Sequence, residues 1–176
     1  MRLFIAINFN ELNEYFKGFQ EQLSINSTLI LTKSYHLTLK FLGEVQPNKV
    51  QEIASILKGI KYENFNIFLD SMGVFPSQNN PRVIWIGLEP ENDVRLLQHR
   101  IDDSLNDLFS KDKNFKPHIT LARIKFIENK RLFFEALEKI KVERKKVKVN
   151  EFILIKSTLT PNGSVYEDLQ VFRSKL

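Results

Sequence analysis

The chain has 176 residues, of which 43% are hydrophobic and 15 are phenylalanine, so it can build a core for one domain or two tightly packed lobes. Lys and Arg number 26 against 21 Asp and Glu, a net charge of +5. This excess favours an anionic partner such as nucleic acid, although ordinary surface lysines are the simpler explanation. No cysteine is present, which excludes disulfides, thiolate metal sites and thiol nucleophiles. No apolar run suits a signal peptide or a membrane span, so a soluble, cytoplasmic protein is expected.

In the first half, apolar residues alternate as in strands or recur at helical spacing. The predicted elements are a strand over 2–9, a helix over 11–23, a short extended segment over 28–32, a strand over 35–42, a helix from 47 to 60 and a strand over 65–74. Asn10 is a candidate N-cap of the first helix, and Gly43 a candidate exit turn after the third extended segment. Pro47 suits the first turn of the second helix.

After a polar loop over 76–81, the same order returns. The predicted elements are a strand over 82–88, a helix over 90–109, a strand over 117–124, a helix over 129–140, a long strand over 147–158, a turn over 161–163 and a strand over 165–172. In the first half 34 positions separate Arg2 from His36, and in the second 36 separate Arg82 from His118. We interpret this as an internal duplication, with two similar α+β lobes over roughly 1–75 and 82–176 whose sheets pack together in a single domain.

One tetrapeptide pattern occurs in both halves, as His-Leu-Thr-Leu at 36–39 and His-Ile-Thr-Leu at 118–121. On a strand, the two aliphatic residues of each copy face the core while the His and Thr share the opposite face. A single copy is a weak signal, because a half-buried, hydrogen-bonded His is common. Two copies in equivalent positions favour two imidazoles and two hydroxyls facing each other across a cleft, which suits phosphodiester hydrolysis without metal.

Several blocks along the whole chain resemble one protein family. They are Arg2–Ile7, His36–Val45, Gly73–Pro76, Pro81–Trp85, Phe115–Arg123 and Ser157–Tyr166. The chain is similar in these blocks to the bacterial and archaeal RNA 2′,3′-cyclic phosphodiesterases, formerly called 2′-5′ RNA ligases, within the two-histidine phosphoesterases. The resemblance implies an α+β fold with two pseudo-symmetric lobes, each an antiparallel sheet with helices packed outside, around a central cleft.

The resemblance also implies the chemistry. Water opens a 2′,3′-cyclic phosphate at an RNA end, for example on a tRNA fragment, to leave a 2′-phosphomonoester. His36 is then the proton donor and His118 the proton acceptor, with Thr38 and Thr120 binding the phosphate oxygens. The residues alone do not decide which His is the acid. Run backward, the same groups join a 2′-phosphate end to a 5′-hydroxyl. No cofactor, no metal and no membrane association are expected, and the chain is expected to act as a monomer.

Other residues near the motifs have two interpretations each. Arg123 and Phe41 follow their histidines by five positions, so strict alternation turns them away from the cleft unless a bulge re-aims them. Arg123 then binds phosphate or stacks on a base, and Phe41 offers a stacking face; otherwise they are a surface Arg and a core Phe. Lys40 lies on the His36 face by alternation, where it either attracts the RNA backbone or is simply solvated.

The remaining charged features point less clearly to function. The third histidine, His99, is expected to be a surface or packing residue, and neither motif has acidic residues at metal-ligand spacing. The basic run 144–148 is either a charged sheet edge that blocks aggregation or an RNA-contacting stripe. Two rival functions remain open: a phosphodiesterase of small cyclic nucleotide phosphates, and a non-catalytic module that binds RNA ends.

Overall fold

A computed structural model describes residues 1–23, 26–161 and 163–175, and this part of the chain forms nine strands and four α-helices. The strands are β1 (Arg2–Asn8), β2 (Ser27–Leu31), β3 (His36–Glu44), β4 (Phe65–Phe75), β5 (Val83–Glu89), β6 (Ile119–Ile127), β7 (Lys145–Val149), β8 (Glu151–Thr160) and β9 (Gly163–Arg173). The helices are α1 (Asn13–Gln20), α2 (Val50–Lys58), α3 (Asn92–Ser104) and α4 (Lys130–Lys139). Short 3₁₀ turns at Asn10–Leu12 and Pro47–Lys49 lead into α1 and α2.

The strands form two antiparallel sheets, as predicted for the fold. The first sheet has the order β3-β1-β8-β9 and the second has the order β2-β6-β5-β4-β7. In the first sheet β1 lies between β3 and β8, and in the second β5 lies between β6 and β4. In both sheets, the strand that opens a sequence half, β1 or β5, therefore lies beside the histidine strand of that half, β3 or β6.

The sheets do not divide at the boundary between the sequence halves. β4 pairs with β5 across the short loop that joins the halves, while β8 returns from the second half to pair with β1. The first half thus contributes β2 and β4 to the second sheet, and the second half contributes β8 and β9 to the first. The halves share a core through this exchange, and the duplication boundary near residues 75–82 stays a prediction from the sequence pattern.

The alternation predicted for the two histidine strands matches the observed burial. Leu37, Leu39, Ile119 and Leu121 are all buried and belong to one connected apolar cluster that spans both sheets. Shortening any of these side chains to Ala is expected to cost about 2–5 kcal/mol of folding free energy. Burial of this face holds the opposite face of each strand toward the space between the sheets.

Three sequence predictions need correction in their bounds. Asn10 is not the N-cap of α1, because its side-chain oxygen accepts from the backbone N–H of Tyr35 (2.9 Å) and so fixes the start of β3. The predicted helix over 90–109 covers only Asn92–Ser104; hydrogen-bonded turns follow up to residue 109, and the cleft-lining part of this segment begins at Asp112. The single strand predicted over 147–158 is two strands, because β7 pairs with β4 in the second sheet and β8 pairs with β1 in the first.

Two glycines have positive φ angles. Gly43 (φ 69°) was predicted to end β3, yet it lies inside the strand next to a register shift against β1. Gly163 (φ 111°) begins β9 after the predicted turn, and Asn162 of that turn lies outside the described residues. Within the part of the chain that the structure describes, no helix is both long and apolar enough to cross a membrane.

Candidate active site

A cleft of about 750 Å³ lies between the two sheets. The sequence-predicted site residues all line it: His36, Thr38, Phe41, His118, Thr120 and Arg123. The structure therefore brings together the two motifs, which are 82 positions apart, at one surface.

His36 begins β3 and is half-buried among aromatic rings. Its imidazole centroid lies 5.0 Å from that of Phe4 and 5.2 Å from that of Tyr166, which meets it edge-on. The ring also makes a hydrogen bond to the backbone of Ser34. Burial is the main cause that lowers the pKa of His36 to about 4, and the nearby His118 and Arg123 lower it further.

His118 comes immediately before β6, on the other side of the cleft. Its Nδ1 donates a hydrogen bond to the carbonyl oxygen of Lys116 (2.7 Å), which leaves Nε2 available to a substrate. The edge-on contact with Phe75 (4.8 Å between centroids) packs the ring, and burial lowers the pKa of His118.

The aromatic rings that pack behind His118 need a glycine at position 73, because the Trp85 indole lies directly against the backbone there. Phe75 stacks on Trp85 with 4.9 Å between centroids, and the indole lies over Gly73 of the neighbouring strand. A Cβ at Gly73 would come within 2.4 Å of the indole ring. Any larger residue at position 73 would therefore displace Trp85, then Phe75 and the imidazole that packs against it.

The two histidines are held in the same way. Each makes a hydrogen bond to the backbone of the residue two positions earlier, Ser34 or Lys116. Both pKa values are lowered mainly by burial, so both imidazoles are neutral at pH 7. A neutral imidazole can accept a proton, and an anion bound between the rings would favour proton uptake by one of them.

Thr38 and Thr120 lie on the same strand faces as their histidines and line the cleft. Thr38 pairs across the ladder with Ala6, and Thr120 pairs with Trp85. Their hydroxyl groups are neutral donors that can bind oxygens of a phosphate without a titrating proton.

Matching register shifts explain how Phe41 and Arg123 reach the cleft. The pairing of β1 with β3 skips Leu39, and the pairing of β5 with β6 skips Leu121. Each extra residue reverses the alternation, as the bulge hypothesis required. Phe41 is consequently 73% exposed and not a core residue, and Arg123 is exposed beside the cleft.

The same bulge makes both interpretations of Lys40 wrong. Its side chain is only 1% exposed and neither faces solvent nor presents a free charge to RNA. Its Nζ donates to the Asp102 carboxylate and to the carbonyl oxygen of Ser110 (2.8 Å). The equivalent position in the second motif is Ala122, so this ion pair has no counterpart there.

Sequence reasoning missed several cleft residues. The cations Arg2, Lys113 and Lys116 line the cleft together with Arg123, against the single carboxylate of Asp112 among the lining residues. Lys113 and Lys116 lie shortly before His118 in the chain, and that proximity was the one available signal. The positive balance favours an anionic ligand.

The remaining candidates lie elsewhere. His99 is an exposed residue of α3, as predicted. Among the described residues, no three His, Cys, Asp or Glu side chains cluster closely enough to hold a metal ion. The basic run 144–148 leads into β7, which is an edge strand of the second sheet, and Arg144 pairs with Glu89 (2.9 Å) while covering the ring of Phe68. This placement agrees with the charged-edge interpretation.

Comparisons with known proteins agree with this geometry. The model of a family described as LigT-like phosphoesterase matches the chain twice, over residues 7–85 and 86–166. A Methanocaldococcus jannaschii protein named RNA 2′,3′-cyclic phosphodiesterase is 40% identical over 171 residues, covering 95% of this chain and 97% of that one. A protein of Archaeoglobus fulgidus with the same name is 34% identical over 177 residues, covering 98% of this chain and 99% of that one.

A solved structure extends the likeness to the whole fold. The crystal structure of a Thermus thermophilus protein, TT0787, matches with a TM-score of 0.80 at 27% identity, covering 98% of this chain and 97% of that one. Two matches of one family model, full-length relatives and a shared fold all agree with the paired histidine motifs. The chain belongs to the LigT-like phosphoesterase family.

Proposed function

We propose that this chain hydrolyses the 2′,3′-cyclic phosphodiester at RNA ends to a 2′-phosphomonoester, by acid–base catalysis between His36 and His118 without a metal ion. The observation that carries the proposal is the pair of His-x-Thr motifs on opposite walls of one cation-lined cleft. The names of the archaeal relatives support the same substrate class.

The reaction assigns one proton transfer to each histidine. Nε2 of His118 accepts a proton from water as the water oxygen bonds to phosphorus. The bond between phosphorus and the 3′ oxygen breaks, and His36 donates a proton to that oxygen. The product has a 2′-phosphate and a free 3′-hydroxyl, and solvent returns the two imidazoles to their starting states. A positioned acid or base of this kind typically contributes about 10²–10⁴-fold.

The low pKa of His36 is compatible with its proposed role as the acid. Its pKa is about 4, because burial, and to a smaller extent the nearby His118 and Arg123, disfavour the imidazolium. A bound phosphodiester anion supplies a counter-charge and raises the pKa of His36, so His36 takes up a proton when the substrate binds. Once protonated, a group with a low intrinsic pKa gives its proton readily to the leaving oxygen.

Thr38, Thr120 and Arg123 act on the other phosphate oxygens. Negative charge on the non-bridging oxygens grows as water attacks, and hydroxyl or guanidinium donors fixed in advance stabilise it without reorganising. If a 5′-hydroxyl replaces water, the same steps join two RNA ends through a 2′-5′ linkage. We propose this ligation as a side reaction of the same site.

The test is incubation of the protein with a 2′,3′-cyclic-ended oligonucleotide in excess EDTA, followed by identification of the product. The expected product carries a phosphomonoester at the 2′ position, released by phosphatase, and EDTA leaves the rate unchanged. A 3′-phosphate product, a requirement for added metal, or no opening at all would contradict the proposal.

A second candidate substrate is a small cyclic nucleotide phosphate. The cleft volume of about 750 Å³ accommodates a single nucleotide, and the exposed rings of Phe41 and Tyr166 line the cleft, where a base can stack on them. Comparing kcat/KM for a cyclic mononucleotide and a cyclic-ended oligonucleotide separates the two substrates. Our proposal predicts the higher value for the oligonucleotide. A module that only binds RNA ends would turn over neither.

A further inference from the structure

A buried ion pair joins the first histidine strand, β3, to helix α3. Lys40 of β3 and Asp102 of α3 are 1% and 3% exposed, and their side chains pair directly. Lys40 follows Thr38 by two positions, so the pair is anchored next to the first motif. Neither residue touches the reacting phosphate in the proposed mechanism, and the Lys40 position is Ala in the second motif.

The remaining hydrogen bonds of the pair all go to one loop. We define the cleft loop as residues 110–116. Lys40 Nζ donates to the carbonyl oxygen of Ser110 (2.8 Å), and the second carboxylate oxygen of Asp102 accepts from the backbone N–H of Asp112 (2.9 Å). The pair therefore fixes the start of the cleft loop through its backbone, where no particular loop side chain is required.

The end of the cleft loop is fixed from the same helix. Arg95 lies two turns before Asp102 on α3, donates to the carbonyl oxygen of Phe115 (2.9 Å) and lies over the Phe115 ring. Arg95 is itself held by Glu91 (2.7 Å). With both ends attached to α3, the loop presents Lys113 and Lys116 to the cleft.

The loop connects directly to the second histidine. The carbonyl oxygen of Lys116 accepts the bond that orients His118, and the Lys116 ammonium lies 5.7 Å from the centre of the Phe75 ring that packs against His118. Both lysines are exposed at the cleft, where a chain of phosphates would meet them.

We propose that the Lys40–Asp102 pair is a positioning device, which holds the cleft loop so that Lys113 and Lys116 meet the phosphates of the RNA upstream of the reacting end. The second part of this inference rests on the proposed function; the first part, the anchoring of the loop, does not. A cyclic mononucleotide lacks the upstream phosphates and so needs the loop much less than an oligonucleotide does.

The test replaces both members of the pair with apolar residues of similar size, Lys40→Met together with Asp102→Leu. Removing one member alone would leave a buried charge without its partner and strongly destabilise the protein, whereas replacing both often leaves stability intact. Lys40→Arg is the conservative variant, because it keeps a cation that can bond Asp102 and Ser110. Asp93→Asn is the matched control, since Asp93 is an exposed carboxylate on the same helix and is not among the residues that line the cleft.

The first readout is limited digestion with trypsin, which cuts after Lys111 and Lys113 when the loop is free. Cleavage at these two sites is expected to accelerate by about tenfold or more in the double variant, in proportion to the open fraction of the loop. It is expected to return toward the wild-type rate in Lys40→Arg and to stay unchanged in Asp93→Asn. A folded double variant with wild-type cleavage rates would overturn the anchoring role.

The second readout is kinetic and is taken at a temperature where every variant is folded. In the double variant, KM for a cyclic-ended oligonucleotide is expected to rise about tenfold while kcat falls less. KM for a cyclic mononucleotide changes little, and the log–log salt dependence of oligonucleotide binding becomes shallower by about 0.7 for each phosphate that the loop no longer binds. A loop opened to trypsin with unchanged oligonucleotide KM and salt dependence would overturn the RNA contact. Failure of the proposed function is distinct, because the wild type would then turn over neither substrate.

Discussion

The two walls of the cleft share one set of structural features around the histidines and differ in the residues that surround this set. Each wall has a His-x-Thr motif, a bond from the imidazole to the backbone two residues earlier, and one extra residue that reverses the strand alternation after the Thr. The features that differ lie just outside this shared set. The shared features include the groups that proton transfer and charge stabilisation need. The residues that differ between the walls are therefore the candidates for orienting the substrate.

The differences give each wall its own environment. His36 contacts Phe4 and Tyr166, whereas His118 packs on Phe75. Beyond the bulges, Phe41 occupies the first wall where Arg123 occupies the second. One wall thus offers aromatic surface and the other a fixed cation, which is how a nearly symmetric site can bind an asymmetric nucleotide in one orientation.

The largest expected effect comes from removing either member of the matched pair. His36→Ala and His118→Ala are each expected to lower kcat for a cyclic-ended oligonucleotide by about 10²–10⁴-fold, since each removes one proton-transfer group. Binding of the oligonucleotide is expected to persist, because the cations and hydroxyls of the cleft remain. His99→Ala is the matched control, as His99 is exposed on α3. If either cleft variant kept wild-type turnover, that histidine would not be one of the two proton-transfer groups.

A smaller loss is expected from the hydroxyl pair. Thr38→Val and Thr120→Val keep the shape of each side chain but remove its donor, so each should lower kcat by about 10²-fold with little change in KM. Steady-state kinetics of the two variants test whether the walls contribute equally. A rise in KM without a fall in kcat would show that the hydroxyls bind the ground state and not the developing charge.

Arg123 and Phe41 occupy equivalent positions on the two walls but differ in chemistry, so their substitutions should have different effects. Arg123→Ala is expected to lower kcat/KM by about 10–100-fold, because it removes a charge-assisted bond to phosphate. Phe41→Ala is expected to cost about tenfold, near the lower end of what base stacking contributes. The Arg123 loss should shrink at high salt while the Phe41 loss should not. Equal salt dependence of the two losses would contradict the assigned division between the walls.

The smallest expected effect is a displacement of the pH optimum. Burial lowers the pKa of both histidines, that of His36 to about 4. The form of the free enzyme in which one imidazole is protonated and the other neutral is therefore populated mainly below about pH 6.5. Because catalysis needs one acid and one base, kcat/KM should peak below pH 6.5 and fall as the pH rises through neutrality. The kcat profile should lie at higher pH, since the bound anion raises the pKa of His36. A kcat/KM that rises from pH 6 to pH 8 would show that the cleft does not disfavour the imidazolium.

The symmetric part of this site could be predicted from sequence because it depends on local alternation. A period of two is sufficient to bury Leu37 and Leu39 and to present His36 and Thr38. Lys40 could not be assigned in the same way, because a single bulged residue reverses every later position and alternation alone does not locate a bulge. Its partner Asp102 is 62 positions away, on an element whose packing no local pattern specifies.

The exchange of strands between the halves could not be predicted either. The sequences of β7 and β8 resemble one extended segment, and only pairing with distant strands places them in different sheets. Pairing partners that lie far apart in sequence leave no periodic signal in either strand. The sequence pattern therefore indicates which segments are strands, and the tertiary structure decides which sheet receives each of them.

The most direct test of the central claim is the pH dependence of the residual activity in the two histidine variants. If His36 donates and His118 accepts, residual kcat/KM of His36→Ala should lose the fall at high pH, because no acid remains to be deprotonated. Residual kcat/KM of His118→Ala should lose the fall at low pH and keep the other. Two complete bell-shaped profiles, or the same limb lost in both variants, would contradict an acid and a base placed on opposite walls of one cleft.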